Sequence, residues 1–303
     1  MTRLDVVTGF LGAGKTTFLA RYLHWLQKTG VRAVVIENEF GRAGVDAQTL
    51  AADGAVVREI SGGCVCCTLK VTLKDYLWES AGQYDRVLLE PSGLFSSDDL
   101  LDILHSPDCP VKPGLWLGIV DPLALSVMDE EDRAVLQSEL MPAGAVLIRR
   151  GGEPDNEQED AVRFVREAIP APAPQLWCGP WEDWDDDRDF PALLATGTVE
   201  RPHVRRRFDH SAMFQSTTLH PAAPVEEPAL RAALARLTGG EAGTMLRVKG
   251  TVLAAGGGQY AVNAVPGGLS IVRRESGGEP ALNLIGRELS RRRIHEIWEE
   301  CTA

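Results

Sequence analysis

The sequence predicts an α/β fold, in which helices cover a mostly parallel sheet, followed by a smaller α+β domain. Short apolar runs typical of buried strands alternate with segments of helical periodicity in the first half of the chain. Parallel strands need crossover connections, so this alternation indicates helices on both faces of one sheet. The strand-like runs cover residues 4–7, 33–36, 86–89, 115–120 and 145–148, and helical segments between them cover residues 69–79 and 132–140.

Length and composition indicate two domains. The chain has 303 residues, of which 44% are hydrophobic, enough for more than one sizeable core. A proline-rich stretch at residues 170–174 breaks the helical pattern. We therefore predict an N-terminal domain over residues 1–169, a linker rich in Pro, acidic residues and Trp over residues 170–200, and a C-terminal domain over residues 201–303.

The C-terminal domain shows a different pattern, in which strand-like runs dominate. Strands are predicted near residues 211–219, 244–253 and 259–264, and helices over residues 228–237 and 290–300. We interpret the acidic part of the preceding linker as a solvated loop rather than a cation site.

The charge and the apolar stretches exclude several classes of protein. A formal net charge of −12 argues against nucleic acid as a partner, because binding to a phosphate backbone requires clustered Lys and Arg. No stretch is apolar over the length needed to span a bilayer, and no secretory signal pattern is present. We therefore expect a cytoplasmic protein that does not act on membranes.

A phosphate-binding loop is the strongest motif in the chain. Residues 9–16 read GFLGAGKT and fit the pattern G-x-x-x-x-G-K-[ST], between an apolar run and a helical one. Glycines allow backbone N–H groups to converge on phosphate oxygens, and the helix that follows presents its N-terminus to the same anion. The loop predicts a P-loop NTPase. Its predicted nucleotide-binding residues are Gly9, Gly12, Ala13, Gly14, Lys15, Thr16 and Thr17.

Within this loop, Lys15 is expected to reach the β- and γ-phosphates and Thr16 to place its hydroxyl on Mg²⁺. An EPSG segment at residues 90–93 follows the apolar run at residues 86–89. A nucleotide-binding sheet places at this point the acidic residue that senses Mg²⁺ and the γ-phosphate. We predict that Lys15 and Glu90 serve catalysis, that Thr16 and Glu90 serve Mg²⁺, and that Gly93 approaches the nucleotide.

A cysteine cluster brings soft-metal chemistry to the same end of the sheet. Cys64, Cys66 and Cys67 lie within four residues, a spacing that suits metal ligation better than a disulfide framework. Thiolates bind Zn²⁺ at about 2.3 Å in tetrahedral sites. A fourth ligand from Glu37, Glu39 or water would complete the tetrahedron, because residues 37–41 end the second predicted strand.

These motifs resemble those of the CobW-like P-loop GTPases, relatives of the HypB and UreG metal-insertion GTPases, over nearly the whole chain. The segments GFLGAGKTT, ENEFG, GGCVCC and EPSG occur in the order and spacing of that family. Residues 243–250 and 285–287 resemble signatures of its C-terminal domain. The resemblance implies that the three cysteines form the metal motif with Glu37 as a candidate co-ligand. It also implies that GTP hydrolysis drives delivery of a metal, most often zinc or cobalt.

The expected guanine-reading motif is missing. The family usually carries Asn-Lys-x-Asp after the strand at residues 145–148, whereas this chain reads RRGG at residues 149–152. Arginine donates hydrogen bonds and cannot accept them, so neither arginine replaces the aspartate. Two alternatives remain: Glu153 or Asp155 substitutes from a shifted loop, or the arginines meet the O6 and N7 acceptors of guanine. The sequence does not decide between GTP and ATP.

The function predicted from the sequence is a nucleotide-hydrolysing metal chaperone. It would couple hydrolysis of GTP or ATP, with Mg²⁺, to binding and delivery of a thiophilic metal such as Zn²⁺ or Co²⁺. Its expected partners are the nucleotide, the divalent metal and a client metalloprotein, and a homo-oligomer is compatible with the sequence. The alternative is a non-hydrolysing sensor, in which nucleotide and metal select a conformation that binds a partner.

Overall fold

The computed structural model describes residues 1–38, 56–60, 68–91, 97–149, 156–201, 214–265, 268–275 and 278–302. For residues 37–38, 58–60 and 68–70 it describes the backbone alone. The described residues up to 201 belong to one compact unit and those from 214 onward to a second. The predicted fold class, a helix-covered α/β sheet followed by a smaller α+β domain, is confirmed.

The first unit is built on a seven-stranded sheet in the order β3-β2-β4-β1-β5-β6-β7. All six neighbouring pairs are parallel. The five predicted strands are confirmed, and β3 and β7 are additions. The strands are β1 (Arg3–Thr8), β2 (Ala33–Asn38), β3 (Val57–Ile60), β4 (Arg86–Glu90), β5 (Lys112–Val120), β6 (Ala145–Ile148) and β7 (Gln175–Cys178).

Helices connect the strands of this sheet and cover it. Strand β6, which lies between β5 and β7, is buried along its whole length, as expected for an interior strand covered on both faces. The described helices of this unit are α1 (Lys15–Lys28), α2 (Thr68–Ser80), α3 (Ser97–Leu104), α4 (Pro122–Ser126), α5 (Glu130–Leu140), α6 (Asn156–Ala168) and α7 (Asp186–Leu194).

The segment predicted as a linker is instead part of the first unit. Strand β7 pairs with β6, and Trp181 and Phe190 pack in the same core as Phe18 of α1. Of the acidic residues, Asp186, Asp187 and Asp189 begin α7, where Asp186 pairs with Arg21 of α1 at 2.7 Å, whereas Glu182, Asp183 and Asp185 are exposed ahead of that helix. The linker interpretation was wrong because the prolines here flank a strand, and because Trp181 and Phe190 bury large apolar rings in the core of the unit.

A buried polar network joins four elements of the first unit, β1, α1, β4 and β5. The carboxylate of Asp5, on β1, is fully buried and accepts hydrogen bonds from Tyr22 at 2.7 Å and from Arg86 at 2.6 and 2.7 Å. The backbone N–H of Leu115 donates to the same carboxylate at 2.8 Å. A side chain at position 114 would clash with Asp5, so Gly114 makes room for it. The network compensates a buried charge with four donated hydrogen bonds.

The second unit is an antiparallel sheet in the order β11-β10-β9-β12-β8. Its core includes Val248 and Leu284 from the sheet and Leu234 and Ile297 from two helices. Among the described residues, no helix in the chain is both long and apolar enough to cross a membrane. The elements of the second unit are β8 (Gln215–Leu219), α8 (Glu227–Thr238), β9 (Thr244–Leu253), β10 (Gln259–Val265), β11 (Gly268–Arg274), β12 (Ala281–Arg287) and α9 (Arg291–Thr302).

An ion-pair cluster fastens the two helices of the second unit to each other. Glu241, just after α8, lies 2.7 Å from Arg236 of α8 and 2.9 Å from Arg293 of α9. Glu300 of α9 in turn lies 2.8 Å from Arg236 and 2.9 Å from Arg293. The hydrogen bond from Arg236, followed by that from Arg293, lowers the pKa of Glu241 to about 2.

We expect the second unit to lose stability as the pH falls from about 4.5, the ordinary pKa of a glutamate, toward about 2. A carboxylate whose pKa is lowered by folding stabilises the fold above its unfolded pKa and loses that effect as it becomes protonated. Urea denaturation across this pH range should show that the free energy of unfolding falls more steeply with decreasing pH in the wild type than in Glu241→Gln. Equal slopes in the two proteins would contradict the prediction.

Candidate functional site

The loop between β1 and α1 has the geometry of a phosphate cradle. Gly9, Gly12 and Gly14 have φ angles of 142°, 81° and 97°, a region that side-chain-bearing residues rarely adopt. A Cβ at Gly9 would also clash with the backbone of Ile119 on β5. The motif's glycines are therefore required by the backbone path of the loop, and the strand, loop and helix follow one another as the sequence predicts.

The first turn of α1 faces this loop with its N–H groups. Gly14 is the N-cap and has no side chain that could accept a hydrogen bond from these groups. The first turn contains no acidic residue. Ala13 is buried, and Thr17 is exposed at the start of the helix. The helix end is thus prepared for an anionic ligand.

Lys15 places its ammonium group inside the curve of the loop. The residue is 5% exposed, and its Nζ donates to the carbonyl oxygens of Gly9 at 2.8 Å and Phe10 at 3.2 Å. The oxygens of a phosphate group bound in the loop would be charged acceptors for the same ammonium group. Charged acceptors form stronger hydrogen bonds than carbonyl oxygens do.

Thr16 and Glu90 meet beside the loop. The Thr16 hydroxyl donates to Oε1 of Glu90 at 2.9 Å, and Glu90 is 7% exposed at the carboxyl end of β4. One hydroxyl and one carboxylate oxygen so placed are the hard oxygen ligands that Mg²⁺ prefers. The structure therefore brings together the two residues predicted to serve Mg²⁺, and their donor set fits that ion.

The predicted metal ligands fall largely outside the described residues. Cys64, Cys66 and Cys67 lie there, as does Gly93. Glu37 is described by its backbone, which lies directly beside Glu90 in the register between β2 and β4. Within the described parts of the chain, no group of three or more His, Cys, Asp and Glu side chains is placed to hold a metal ion.

A buried carboxylate that sequence reasoning missed supports the start of the loop. Glu139, on α5, is 1% exposed, and its Oε2 accepts a hydrogen bond from the Gly9 N–H at 3.2 Å. The residue lies three and four positions after the buried Leu136 and Val135. An acidic residue on the apolar side of a helix is the signal that could have identified it.

Arg149, the first residue of the segment that replaces Asn-Lys-x-Asp, lies beside Gly14 of the loop. Its guanidinium carbon is 5.3 Å from the ring centroid of Trp181. A Cβ added at Gly14 would lie 3.1 Å from an Arg149 nitrogen and 2.9 Å from Trp181. Arg149 and Trp181 thus converge on the last glycine of the loop. Residues 150–155, which include Glu153 and Asp155, lie outside the described residues.

A strand, a glycine loop, a Lys-Thr pair at the start of a helix and an acidic residue on the adjacent strand together define a P-loop nucleotide-binding protein. Residues 4–168 match the family description "CobW/HypB/UreG, nucleotide-binding domain", and residues 214–302 match "Cobalamin synthesis protein cobW C-terminal domain". The chain belongs to the CobW/HypB/UreG family of P-loop GTPases.

Two similar proteins are zinc chaperones of Escherichia coli (strain K12). The chain is 34% identical to zinc chaperone YeiR over 169 residues, which cover 54% of this chain and 51% of YeiR. It is 28% identical to zinc chaperone YjiA over 173 residues, which cover 53% of this chain and 54% of YjiA. The chain thus spans about half the length of the curated relatives it matches.

Among solved structures, the crystal structure of Zn(II)-bound YjiA GTPase from E. coli is similar to this chain. The alignment covers 100% of this chain and 99% of the YjiA chain. The sequence identity is 20% and the TM-score is 0.41.

Proposed function

We propose that this protein is a GTPase metallochaperone that couples hydrolysis of GTP, with ATP as the alternative nucleotide, to binding and delivery of a thiophilic divalent metal. The observation that carries the proposal is the contact between Thr16 and Glu90 beside the phosphate loop, at 2.9 Å. Similarity to proteins named zinc chaperones makes zinc the first candidate for the cargo, with cobalt as the second.

The residues in and beside the loop would bind different parts of the nucleotide and its Mg²⁺. The N–H groups of the loop and of the first turn of α1 would bind phosphate oxygens, and Lys15 would exchange its bonds to the Gly9 and Phe10 carbonyls for bonds to the β- and γ-phosphates. Thr16 and Glu90 would hold Mg²⁺, which supplies positive charge to the phosphate oxygens during transfer. Glu90, largely buried, is the candidate to respond to the γ-phosphate.

The cargo would be held by Cys64, Cys66 and Cys67, with Glu37 as the candidate fourth ligand. Thiolates suit Zn²⁺ and other thiophilic ions. Glu37 and Glu90 are direct neighbours in the register between β2 and β4, and adjacent strands lie about 4.8 Å apart. Nucleotide and cargo would therefore be bound by neighbouring strands, and a client metalloprotein would receive the metal.

The test of this function is phosphate release from GTP and ATP by the purified protein, with and without one equivalent of zinc. Turnover that responds to zinc supports the metallochaperone. Negligible phosphate release under all four conditions, with nucleotide still bound, would instead identify a non-hydrolysing sensor. Lys15→Ala controls for contaminating phosphatases.

We expect zinc affinity to differ between the protein bound to GDP and the protein bound to a non-hydrolysable GTP analogue. A γ-phosphate that repositions Glu90 would act on the adjacent strand, which carries Glu37. A tenfold difference in affinity requires only about 1.4 kcal/mol of coupling, and coupling between two binding sites is reciprocal. A chelator competition titration in each nucleotide state measures the difference.

The control for this titration is a pair of double variants. Cys66→Ser with Cys67→Ser should remove both tight zinc binding and its dependence on nucleotide, whereas Cys109→Ser with Cys178→Ser should preserve both. Equal zinc affinities in the two nucleotide states of the wild type would mean that the two sites are not coupled.

A further inference from the structure

The position of the nucleotide base follows from the order of the strands, if the protein binds nucleotide as proposed above. The contact between Thr16 and Glu90 places the γ-phosphate end of the ligand toward β4, on one side of β1. Strands β5, β6 and β7 lie on the other side of β1. Ligands of open parallel sheets bind outside the carboxyl ends of the strands. The base, at the opposite end of the ligand from the γ-phosphate, therefore lies near the carboxyl ends of β6 and β7.

Arg149 stands at that place. It directly follows β6, and its backbone N–H donates to the carbonyl oxygen of Val120, at the end of β5, at 2.8 Å. Its side chain is half-buried between Trp181 and Gly14. The guanidinium group is thus anchored at its backbone and supported along one face.

Trp181 is a rigid support for this guanidinium. Its side chain is 1% exposed and meets the ring of Phe18 edge to face, with the centroids 5.8 Å apart. Its carbonyl oxygen accepts a hydrogen bond from Arg21 of α1. Because Phe18 and Arg21 both belong to the helix that follows the phosphate loop, the indole is fixed relative to the loop. A guanidinium stacked on it loses little further freedom when it binds a ligand.

We propose that Arg149, supported by Trp181, determines base specificity by donating to the O6 and N7 atoms of guanine. A guanidinium offers only donors, in a planar fork. Guanine presents two adjacent acceptors, O6 and N7. Adenine presents N7 beside an amino group, which is a donor and therefore cannot accept from a guanidinium. This mode differs from recognition by an acidic residue, which would accept from the guanine N1–H and 2-amino groups and would ignore N7.

The experiment compares four triphosphates by calorimetric titration: GTP, ITP, 7-deaza-GTP and ATP. ITP keeps O6 and N7 but lacks the 2-amino group, and 7-deaza-GTP lacks only N7. We expect GTP and ITP to bind about equally, and 7-deaza-GTP and ATP to bind more weakly, with ATP weaker by roughly ten- to a hundredfold. A large loss for ITP with none for 7-deaza-GTP would overturn the proposal, because it would assign base recognition to an acidic residue.

Two variants and one control complete the test. Arg149→Met keeps the length of the side chain but cannot donate, and Arg149→Lys keeps the charge but loses the fork. Both should bring GTP close to the level of ATP. Arg133→Met removes another arginine stacked on an aromatic ring, 6.0 Å from the Phe164 centroid, and should leave the order of the four affinities unchanged.

The outcomes separate this proposal from the proposed function. A wild type that binds none of the four triphosphates would refute the function itself. If the wild type binds all four triphosphates with equal affinity, and Arg149→Met does so too, only the role of Arg149 is refuted. Because the wild-type series needs no substitution, the proposal is tested even if a variant fails to fold.

Discussion

Replacement of Lys15 by alanine is expected to lower the affinity for nucleoside triphosphates by a hundredfold or more. The Lys15 ammonium lies inside the phosphate loop and is held there by the carbonyl oxygens of Gly9 and Phe10. A hydrogen bond to a charged group contributes about 1.5–3 kcal/mol. Two such bonds to phosphate oxygens correspond to a factor of roughly 10² to 10⁴ in affinity. Calorimetric titration with a non-hydrolysable triphosphate measures the loss.

Lys28 provides a matched control on the same helix. It lies at the opposite end of α1, and its exposed ammonium is 3.7 Å from a carboxylate oxygen of Asp187. Lys28→Ala removes the same charge far from the loop and should leave triphosphate affinity within about twofold of the wild type. If Lys15→Ala binds as tightly as Lys28→Ala does, the assignment of Lys15 is wrong.

Replacement of Asp5 by alanine is expected to destabilise the first unit by about 3–5 kcal/mol. The change leaves the largely buried Arg86 guanidinium without its anion and removes the acceptor of Tyr22 and of the Leu115 N–H. Burial, reinforced by the Asp5 carboxylate, raises the pKa of Tyr22 well above its usual range, so the phenol retains its proton and remains a donor. Urea denaturation at neutral pH measures the loss.

The control is an exposed ion pair at the start of the neighbouring strands. Arg32 and Asp85 lie 2.9 Å apart, and their side chains are 60% and 50% exposed. Exposed pairs contribute little because water already solvates both charges. Arg32→Ala should therefore cost far less stability than Asp5→Ala. Similar losses of stability in the two variants would show that burial does not determine how much the Asp5 network contributes to stability.

The sequence predicted the elements whose chemistry is local. The phosphate loop requires fixed residues at fixed spacing, and strands such as β6 are continuous apolar runs because both of their faces are buried. The loop, its helix and the proximity of Thr16 to Glu90 could therefore be inferred before the structure. The register between Glu37 and Glu90 was expected only in outline, as a shared edge of the sheet.

The elements that the sequence did not predict depend on distant partners. Strand β7 is four residues long and lies between Pro174 and Gly179, which are typical of loops. Strand β11 is an edge strand with mostly exposed residues and lacks a clear apolar face. Glu139 and Gly9 are 130 positions apart in the chain. No local pattern encodes such a contact, because only the completed fold brings the two residues together.

The match to the nucleotide-binding family ends at residue 168, before the strand and the aromatic residues that complete the first unit. The part of the chain matched by that family description is thus shorter than the unit that folds. Trp181, which supports Arg149, belongs to the unmatched part. A chain ending at residue 168 would therefore keep the phosphate loop but lose the rings of Trp181 and Phe190, which pack against Phe18 of α1. Strand β7 and the aromatic residues after it thus stabilise the helix that begins at the phosphate loop, although they lie outside the matched residues.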